Sequence, residues 1–183
     1  MRRAAAFLIA ALALLLASAA PASAAFGFED LEVRFEEEDG SPATLAGSHP
    51  FAMTTTFAVN TFINGEGKEV PEGETKDLIL RQIEGLAGNP TATPRCPTAT
   101  FIILNPETSA STCPDATAVG LASVRAGFAP PDPGETESLH VPVYNLVPPP
   151  GVAAKLGFVV LTEPVTVEIG VAEDYPHNIV AKL

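Results

Sequence analysis

Short stretches of alternating apolar and polar residues recur along this chain. Residues 31–35, 51–63 and 165–171 each alternate with the period of two that is typical of a half-buried β-strand. The longest of them is rich in Thr, Val and Phe, which strands favour, and most of its large apolar residues share one face. We expect that face to pack on the core. The pattern predicts further strands over residues 77–83, 98–104, 119–125, 139–147, 153–161 and 178–183.

Turn-forming residues separate these stretches. The chain has 18 prolines and 14 glycines, which disfavour long helices and favour short strands joined by turns. A short helix is the alternative for residues 77–83, although nearby Gly and Pro leave it little room. Pro142 within a predicted strand marks an edge or a bulge, because proline cannot donate to a ladder. We predict an all-β, β-sandwich-like antiparallel domain with Pro/Gly-rich loops, preceded by a signal-peptide helix.

The N-terminus has the layout of a secretory signal peptide. Arg2 and Arg3 precede an apolar run, and residues 21–24 offer the small-x-small pattern of a cleavage site. We therefore predict a signal peptide over residues 1–24, with cleavage after Ala24 or Ala25. An uncleaved anchor is the alternative, because the run of roughly 17 residues is at the lower limit for a membrane span. No second apolar run in the sequence approaches the roughly 20 residues that a membrane helix needs, so we expect no stable membrane span after cleavage.

The remaining chain fits one acidic domain. Removal of residues 1–24 from the 183-residue chain leaves 159 residues, so we predict a single β-rich domain over residues 25–183. Loss of the two arginines changes the net charge from −12 to −14. Such a chain should repel nucleic acid and anionic membrane surfaces. Residues 178–183 fit two alternatives, a last strand that is paired within the sheet or the truncated end of a longer protein. The second alternative predicts an unpaired sheet edge at these residues.

The chain has only two cysteines, Cys96 and Cys113. Cysteine pairs in exported proteins usually form disulfides, so we predict that these two are joined. The alternative is a redox or nucleophilic cysteine, which needs a nearby base or an electropositive setting. Arg95 is adjacent to the first cysteine, but no histidine is close to either one in sequence. A structural cross-link is therefore the favoured interpretation.

The sequence predicts no catalytic, cofactor-binding or metal-binding residues. His49, His140 and His177 are isolated from one another in sequence. The acidic residues 36–39 and the group Asp132, Glu135 and Glu137 do not match a calcium-binding loop, although calcium is the metal they would suit best. The nucleophile elbow of hydrolases and the glycine-rich loops of nucleotide-binding proteins are missing.

Several segments resemble a family of large secreted proteins of high-GC bacteria whose activity is uncharacterised. The matching pieces are Gly85-Leu-Ala-Gly-Asn-Pro-Thr-Ala-Thr-Pro-Arg-Cys96, Cys113-Pro-x-x-Thr-x-Val-Gly120, Val141-Pro-Val-Tyr-Asn-Leu-Val-Pro-Pro-Pro-Gly151, Ala153-x-x-Leu-Gly-Phe158, Asp174-Tyr175 and His49-Pro50. The resemblance covers most of residues 45–183. It implies an extracellular, β-rich module at the N-terminus of a longer protein. It implies no activity, so no functional residues carry over.

These observations favour an exported non-enzymatic β-sandwich module with a structural or interaction role in a secreted or cell-surface protein. Its expected partner is an extracellular protein or a cell-envelope component. One alternative is a secreted hydrolase or carbohydrate-active protein whose site is assembled from distant acids and histidines. Another is a calcium- or small-ligand-binding sandwich.

Overall fold

In the part of the chain that the structure describes, the strands are short and every ladder between them is antiparallel. The computed structural model describes residues 26–125, 138–174 and 177–183. The predicted signal peptide, the Pro-rich loop at residues 129–135, the acidic group at residues 132–137 and the corner at Tyr175 lie wholly or partly outside the described residues. Ten strands and a single α-helical turn occur in the described ranges. The predicted all-β, sandwich-like antiparallel fold class is confirmed.

The chain divides into two compact units, one ending at Gly73 and the other running from Glu74 to Leu183. The prediction of a single domain stays a prediction. The first unit contains two small antiparallel sheets. Their strands are β1 (Phe28–Glu36) paired with β2 (Ala52–Val59), and β3 (Thr61–Ile63) paired with β4 (Glu69–Pro71).

The long strand predicted over residues 51–63 is two strands, separated at Asn60. The Asn60 N–H donates to the Gly27 carbonyl at 3.0 Å, and the residues after it pair in a different sheet. The expectation that the apolar face packs on the core was wrong, since Met53 and Phe57 are 47% and 43% exposed. Among the described residues, β2 pairs only with β1, as a two-stranded sheet.

The second unit is built on one six-stranded sheet with the order β5-β10-β9-β8-β7-β6. The short last strand pairs with β9 on one side and with β5 on the other, so the unpaired edge that only the truncation alternative predicts is absent from the described residues 177–183. The strands are β5 (Ile79–Arg81), β6 (Ala118–Val124), β7 (Leu139–Leu146), β8 (Ala154–Val160), β9 (Glu163–Val171) and β10 (Ile179–Lys182).

The strand predicted over residues 98–104 is wrong, because Thr98–Phe101 forms a helical turn, α1. Pro97 starts the turn in an extended conformation, and its carbonyl accepts hydrogen bonds from the N–H groups of Thr100 and Phe101, both at 3.0 Å. A short apolar run fits a strand and a buried helical turn equally well in periodicity. The turn directs Phe101 inward, where it is fully buried.

The core of the second unit lies between this helical turn and the sheet. It consists of Cys96, Phe101, Cys113, Tyr144, Leu146 and Val159, with Leu104 packed against it. The layer over the sheet is therefore the segment between the two cysteines. The rings of Phe101 and Tyr144 meet edge to face, with centroids 6.4 Å apart.

Gly157 of β8 is a point of close approach between the Phe101 ring and the sheet. A Cβ atom at this position would lie 2.7 Å from Cδ1 of Leu146 and 2.8 Å from Cζ of Phe101. Both side chains are fully buried, so neither has open space to move into. The absence of a side chain at Gly157 thus lets the aromatic ring rest on the backbone of the sheet.

We predict that Gly157→Ala lowers the free energy of unfolding by about 1–3 kcal/mol, because overpacking forces a buried ring to shift. Gly170→Ala on β9 is the matched control, since a Cβ there meets nothing within 4 Å and its φ is not positive. Denaturant unfolding of both variants measures the difference. Equal stability of the two would show that the ring does not rest on Gly157.

Candidate functional site

The two cysteines form a disulfide that closes a loop onto the sheet. Cys96 and Cys113 are bonded, with their Cα atoms 5.7 Å apart, and both are buried. The Cys96 N–H donates to the Asn145 carbonyl at 2.8 Å, and the Val147 N–H donates to the Cys96 carbonyl at 2.9 Å. The start of the loop is therefore hydrogen bonded to the end of β7. The predicted cysteine pairing is present in this structure.

The residues before Cys96 are held by the buried side chain of Asn145. Its Nδ2 donor group lies 3.0 Å from the Pro90 carbonyl and 3.1 Å from Oγ1 of Thr93, and Asn145 is only 3% exposed. Asn89 orders the same segment locally by accepting from the Thr91 N–H at 3.0 Å. The Pro- and Thr-rich segment before Cys96 is thus hydrogen bonded to β7 of the sheet.

The far end of the disulfide loop is a tight turn. Asn105 Oδ1 accepts from the Glu107 N–H at 2.8 Å, and the Asn105 N–H donates to the Ala110 carbonyl at 2.8 Å. The Thr112 N–H donates to the Ile103 carbonyl at 2.9 Å, which closes the two arms of the turn. The turn projects residues 108–111 over one face of the sheet.

A groove of about 490 Å³ lies between this turn and the sheet. We name it the loop groove. The sheet is open there, because β7 and β8 pair only from Tyr144 to Leu146. Pro142 lies two residues beyond that ladder and has no N–H to donate to a neighbouring strand. The lining residues are Thr108, Ser109, Ala110, Ser111, Leu139, His140, Val141, Pro142, Tyr144, Val159, Leu161 and Thr162.

A serine and a histidine meet at the edge of the loop groove. Ser123 of β6 and His140 of β7 are opposite each other in the ladder, and Oγ of the serine lies 2.8 Å from Nδ1 of the imidazole. Both residues are exposed. His140 stands out in the sequence but Ser123 does not, because cross-strand neighbours depend on a register that no local motif encodes. A hydroxyl hydrogen bonded to an imidazole is the first element of a nucleophilic site.

Tyr144 lies at the floor of the loop groove. Burial raises the pKa of its phenol above the usual value, and the negative charge of Asp115 raises this pKa further. The phenol is therefore neutral over a wider pH range in the folded protein than in the unfolded chain. It offers the groove a hydroxyl group beside the apolar surfaces of Pro142 and Val159.

The other candidate residues are dispersed. His49 is in the first unit, whereas His177 is near β10 and bonds through its Nδ1 with the Ala172 carbonyl at 3.0 Å. Within the described ranges, no group of three or more His, Cys, Asp or Glu side chains could hold a metal ion. Of the acidic group at residues 36–39, Glu36 accepts from the Thr54 hydroxyl and Asp39 from the Ser41 N–H.

Asp174, whose backbone carbonyl accepts a hydrogen bond from the His177 N–H, forms an ion pair with Arg81. Nη1 of Arg81 lies 3.1 Å from Oδ1 and 3.2 Å from Oδ2 of this carboxylate. This hydrogen bond lowers the pKa of Asp174 below its usual value. Both side chains are more than half exposed, so the contribution of the pair to stability is small.

No protein family, curated protein or solved structure matches this chain at a significant level. The helices in the described part of the chain are too short to cross a bilayer. The resemblance to large secreted bacterial proteins stays a prediction. The candidate site therefore stands on its own contacts and chemistry.

We predict that the double substitution Cys96→Ala and Cys113→Ala lowers the free energy of unfolding by roughly 3 kcal/mol, as expected for a closed loop of this length. The cysteines are 17 positions apart in sequence. Thiol titration of the unreduced wild type should find no free thiol, and denaturant unfolding measures the stability change. Two titratable thiols in the native protein would contradict the disulfide.

We also predict that stability falls in the alkaline range because of Tyr144. A folded-state pKa raised above the unfolded value near 10 gives stability that is complete below pH ~10 and is lost as the pH rises through the folded pKa. Tyr144→Phe should flatten this decline in a series of unfolding measurements. Absorbance at 295 nm follows tyrosinate formation, and an unchanged alkaline decline in the variant would rule out Tyr144 as its source.

Proposed function

We propose that this chain is an exported, non-enzymatic module that binds another macromolecule in a secreted or cell-surface protein. The disulfide supports this proposal, because such bonds persist in oxidising compartments. The predicted signal peptide supports it independently from the sequence. The expected partner is an extracellular protein or a cell-envelope component.

The loop groove is the observation that carries the proposal. One wall is a turn whose ends are fixed by the disulfide and by the hydrogen bonds of Cys96 to β7, and the other is the sheet itself. A preformed groove loses little conformational entropy when a partner binds. Apolar surfaces of Pro142, Val159 and Leu161 beside the hydroxyls of Ser109 and Thr162 suit an apolar side chain flanked by backbone polar groups.

The net charge of −12 limits the class of partner. Nucleic acids and anionic membrane surfaces carry the same sign of charge and are repelled at low ionic strength. A neutral or basic protein segment is therefore the occupant that the chemistry of the groove and of the chain favours.

The Ser123–His140 pair favours a second candidate, a secreted hydrolase. A serine nucleophile needs a base that is itself oriented by a third group. Among the described residues, the His140 ring has a hydrogen bond only with Ser123, through its Nδ1. In a serine triad this nitrogen often bonds instead to the carboxylate that orients the imidazole. A fluorophosphonate probe distinguishes the two candidates, because covalent labelling of Ser123 requires an activated hydroxyl. We expect no labelling, and labelling that His140→Ala abolishes would favour the hydrolase.

The proposal is tested by placing a photo-crosslinking amino acid at Leu161 in the exported chain. Leu161 lines the loop groove and is 55% exposed, so the substitution should not disturb folding. We expect a crosslinked product with a protein of the envelope or culture fluid. The same amino acid at Ile83, which is 59% exposed but does not line the groove, should give none.

Fractionation of the producing cells completes this test. The chain should appear outside the cytoplasm with Ala25 or Phe26 at its N-terminus, and the Leu161 product should disappear when both cysteines are replaced by alanine. A cytoplasmic chain that keeps its leader would overturn the export proposal. Crosslinking of equal strength from Ile83, or none from Leu161, would overturn the binding role of the groove.

A further inference from the structure

The turn between β3 and β4 is closed by one asparagine. The Asn64 N–H donates to the Lys68 carbonyl at 2.8 Å, and the Asn64 carbonyl accepts from the Gly67 N–H at 3.0 Å. The side-chain oxygen Oδ1 of the same residue accepts from the N–H groups of Glu66 and Lys68, at 2.9 Å and 3.0 Å. The main chain and the side chain of Asn64 therefore both hold the turn in place.

Two groups next to this oxygen have no hydrogen bond. Among the described residues, neither Nδ2 of Asn64 nor the backbone N–H of Gly65 has a partner. Gly65 is exposed, and a Cβ atom added to it would meet nothing within 4 Å. An accessible backbone nitrogen thus directly follows a side-chain amide whose carbonyl is polarised by two N–H donors.

We propose that Asn64 is a site of deamidation in the folded protein. The Gly65 nitrogen gives its proton to water or hydroxide and bonds to Cγ of Asn64. The bond from Cγ to Nδ2 then breaks, Nδ2 takes up a proton and leaves as ammonia, and a cyclic succinimide remains. Water opens this ring at either of its two carbonyls, which gives aspartate or isoaspartate.

The turn stabilises the intermediate of this reaction. Attack on Cγ places negative charge on Oδ1 of Asn64, and the N–H groups of Glu66 and Lys68 already point at that atom. Fixed donors aimed at a developing oxyanion lower the barrier to its formation, because they need no reorganisation during the reaction. The leaving nitrogen has no hydrogen bond in the described residues that would have to break first.

The other five asparagines lack this combination. Asn89 and Asn105 also accept backbone N–H groups through Oδ1, but each precedes a proline, which has no N–H with which to attack. The remaining three precede a threonine, a leucine or an isoleucine, whose side chains obstruct the following nitrogen; they are Asn60, Asn145 and Asn178.

The two products differ in their effect on the hairpin. Aspartate at position 64 keeps an acceptor oxygen in place, and its negative charge strengthens the two hydrogen bonds from the backbone. Isoaspartate adds a methylene group to the main chain, so its carbonyl and N–H no longer match Gly67 and Lys68. Either product adds one negative charge, which changes the net charge of the chain from −12 to −13.

Peptide mapping by mass spectrometry tests the proposal on exported protein incubated in mildly alkaline buffer. We expect the peptide that contains Asn64 to gain one mass unit and to separate by chromatography into the two products. This conversion should be at least as fast in the native protein as in the same protein denatured in urea, because only the folded turn presents the two N–H donors. The other five asparagines should convert more slowly.

Gly65→Ala is the diagnostic variant. The added methyl group has open space and the φ of Gly65 lies outside the left-handed range, so the turn should keep its fold. The methyl group obstructs the attacking nitrogen, and we expect conversion to slow by about tenfold, which corresponds to roughly 1.4 kcal/mol in the activation free energy. Gly170→Ala, where a Cβ atom also meets nothing within 4 Å, should leave the rate at Asn64 unchanged.

Unfolding curves verify that both alanine variants remain folded. Three results overturn the proposal: slower conversion at Asn64 in the native than in the denatured protein, an equal rate in Gly65→Ala and wild type, or faster conversion at another asparagine. This inference goes beyond partner binding in the loop groove, and its failure leaves the Leu161 crosslinking result unaffected.

Discussion

The structure of the second unit depends on the contact between the Phe101 ring and the bare backbone of Gly157. A single six-stranded sheet cannot bury its own face. In this unit a short, covalently closed loop supplies a layer that packs on the sheet. The disulfide reduces the entropy cost of ordering that loop, and the aromatic ring supplies the apolar area that holds it down. The disulfide alone, or the contact of the Phe101 ring alone, would hold this loop only weakly on the sheet, since the loop contains only one helical turn.

The loop groove follows from the same arrangement. The hydrogen bonds of Cys96 to β7 and the buried amide of Asn145 fix where the loop begins, and the Asn105 turn fixes how far it extends. The ladder between β7 and β8 ends at Tyr144, two residues from Pro142, and the sheet is open beneath the turn. The opening is thus set by backbone geometry rather than by the sizes of particular side chains, and its shape should persist when individual lining residues change.

Much of the fold could be predicted from the chain, and the failures have physical causes. Alternation identified β1, β6 and β9, short apolar runs between turn residues identified β7, β8 and β10, and the cysteine count identified the disulfide, because these signals are local. The helical turn at residues 98–101 was missed, since a run of seven residues fits either periodicity. The exposure of Met53 and Phe57 was missed because alternation shows which residues share a face, not whether another layer covers it. Asn145 and Ser123 gain their partners only through register, which depends on contacts distant in sequence.

The interior position of β10 constrains the order in which the sheet assembles. Val180 pairs with Arg81, so β5 has no partner in the sheet until residues from almost the far end of the unit arrive. The disulfide loop and the β6–β7 and β8–β9 pairs are local and can form earlier. In a chain that emerges from its N-terminus, β5 would therefore stay without a sheet partner until β10 emerges. Closure of the sheet is the long-range step of folding, and such steps limit the rate because of the entropy of the intervening chain.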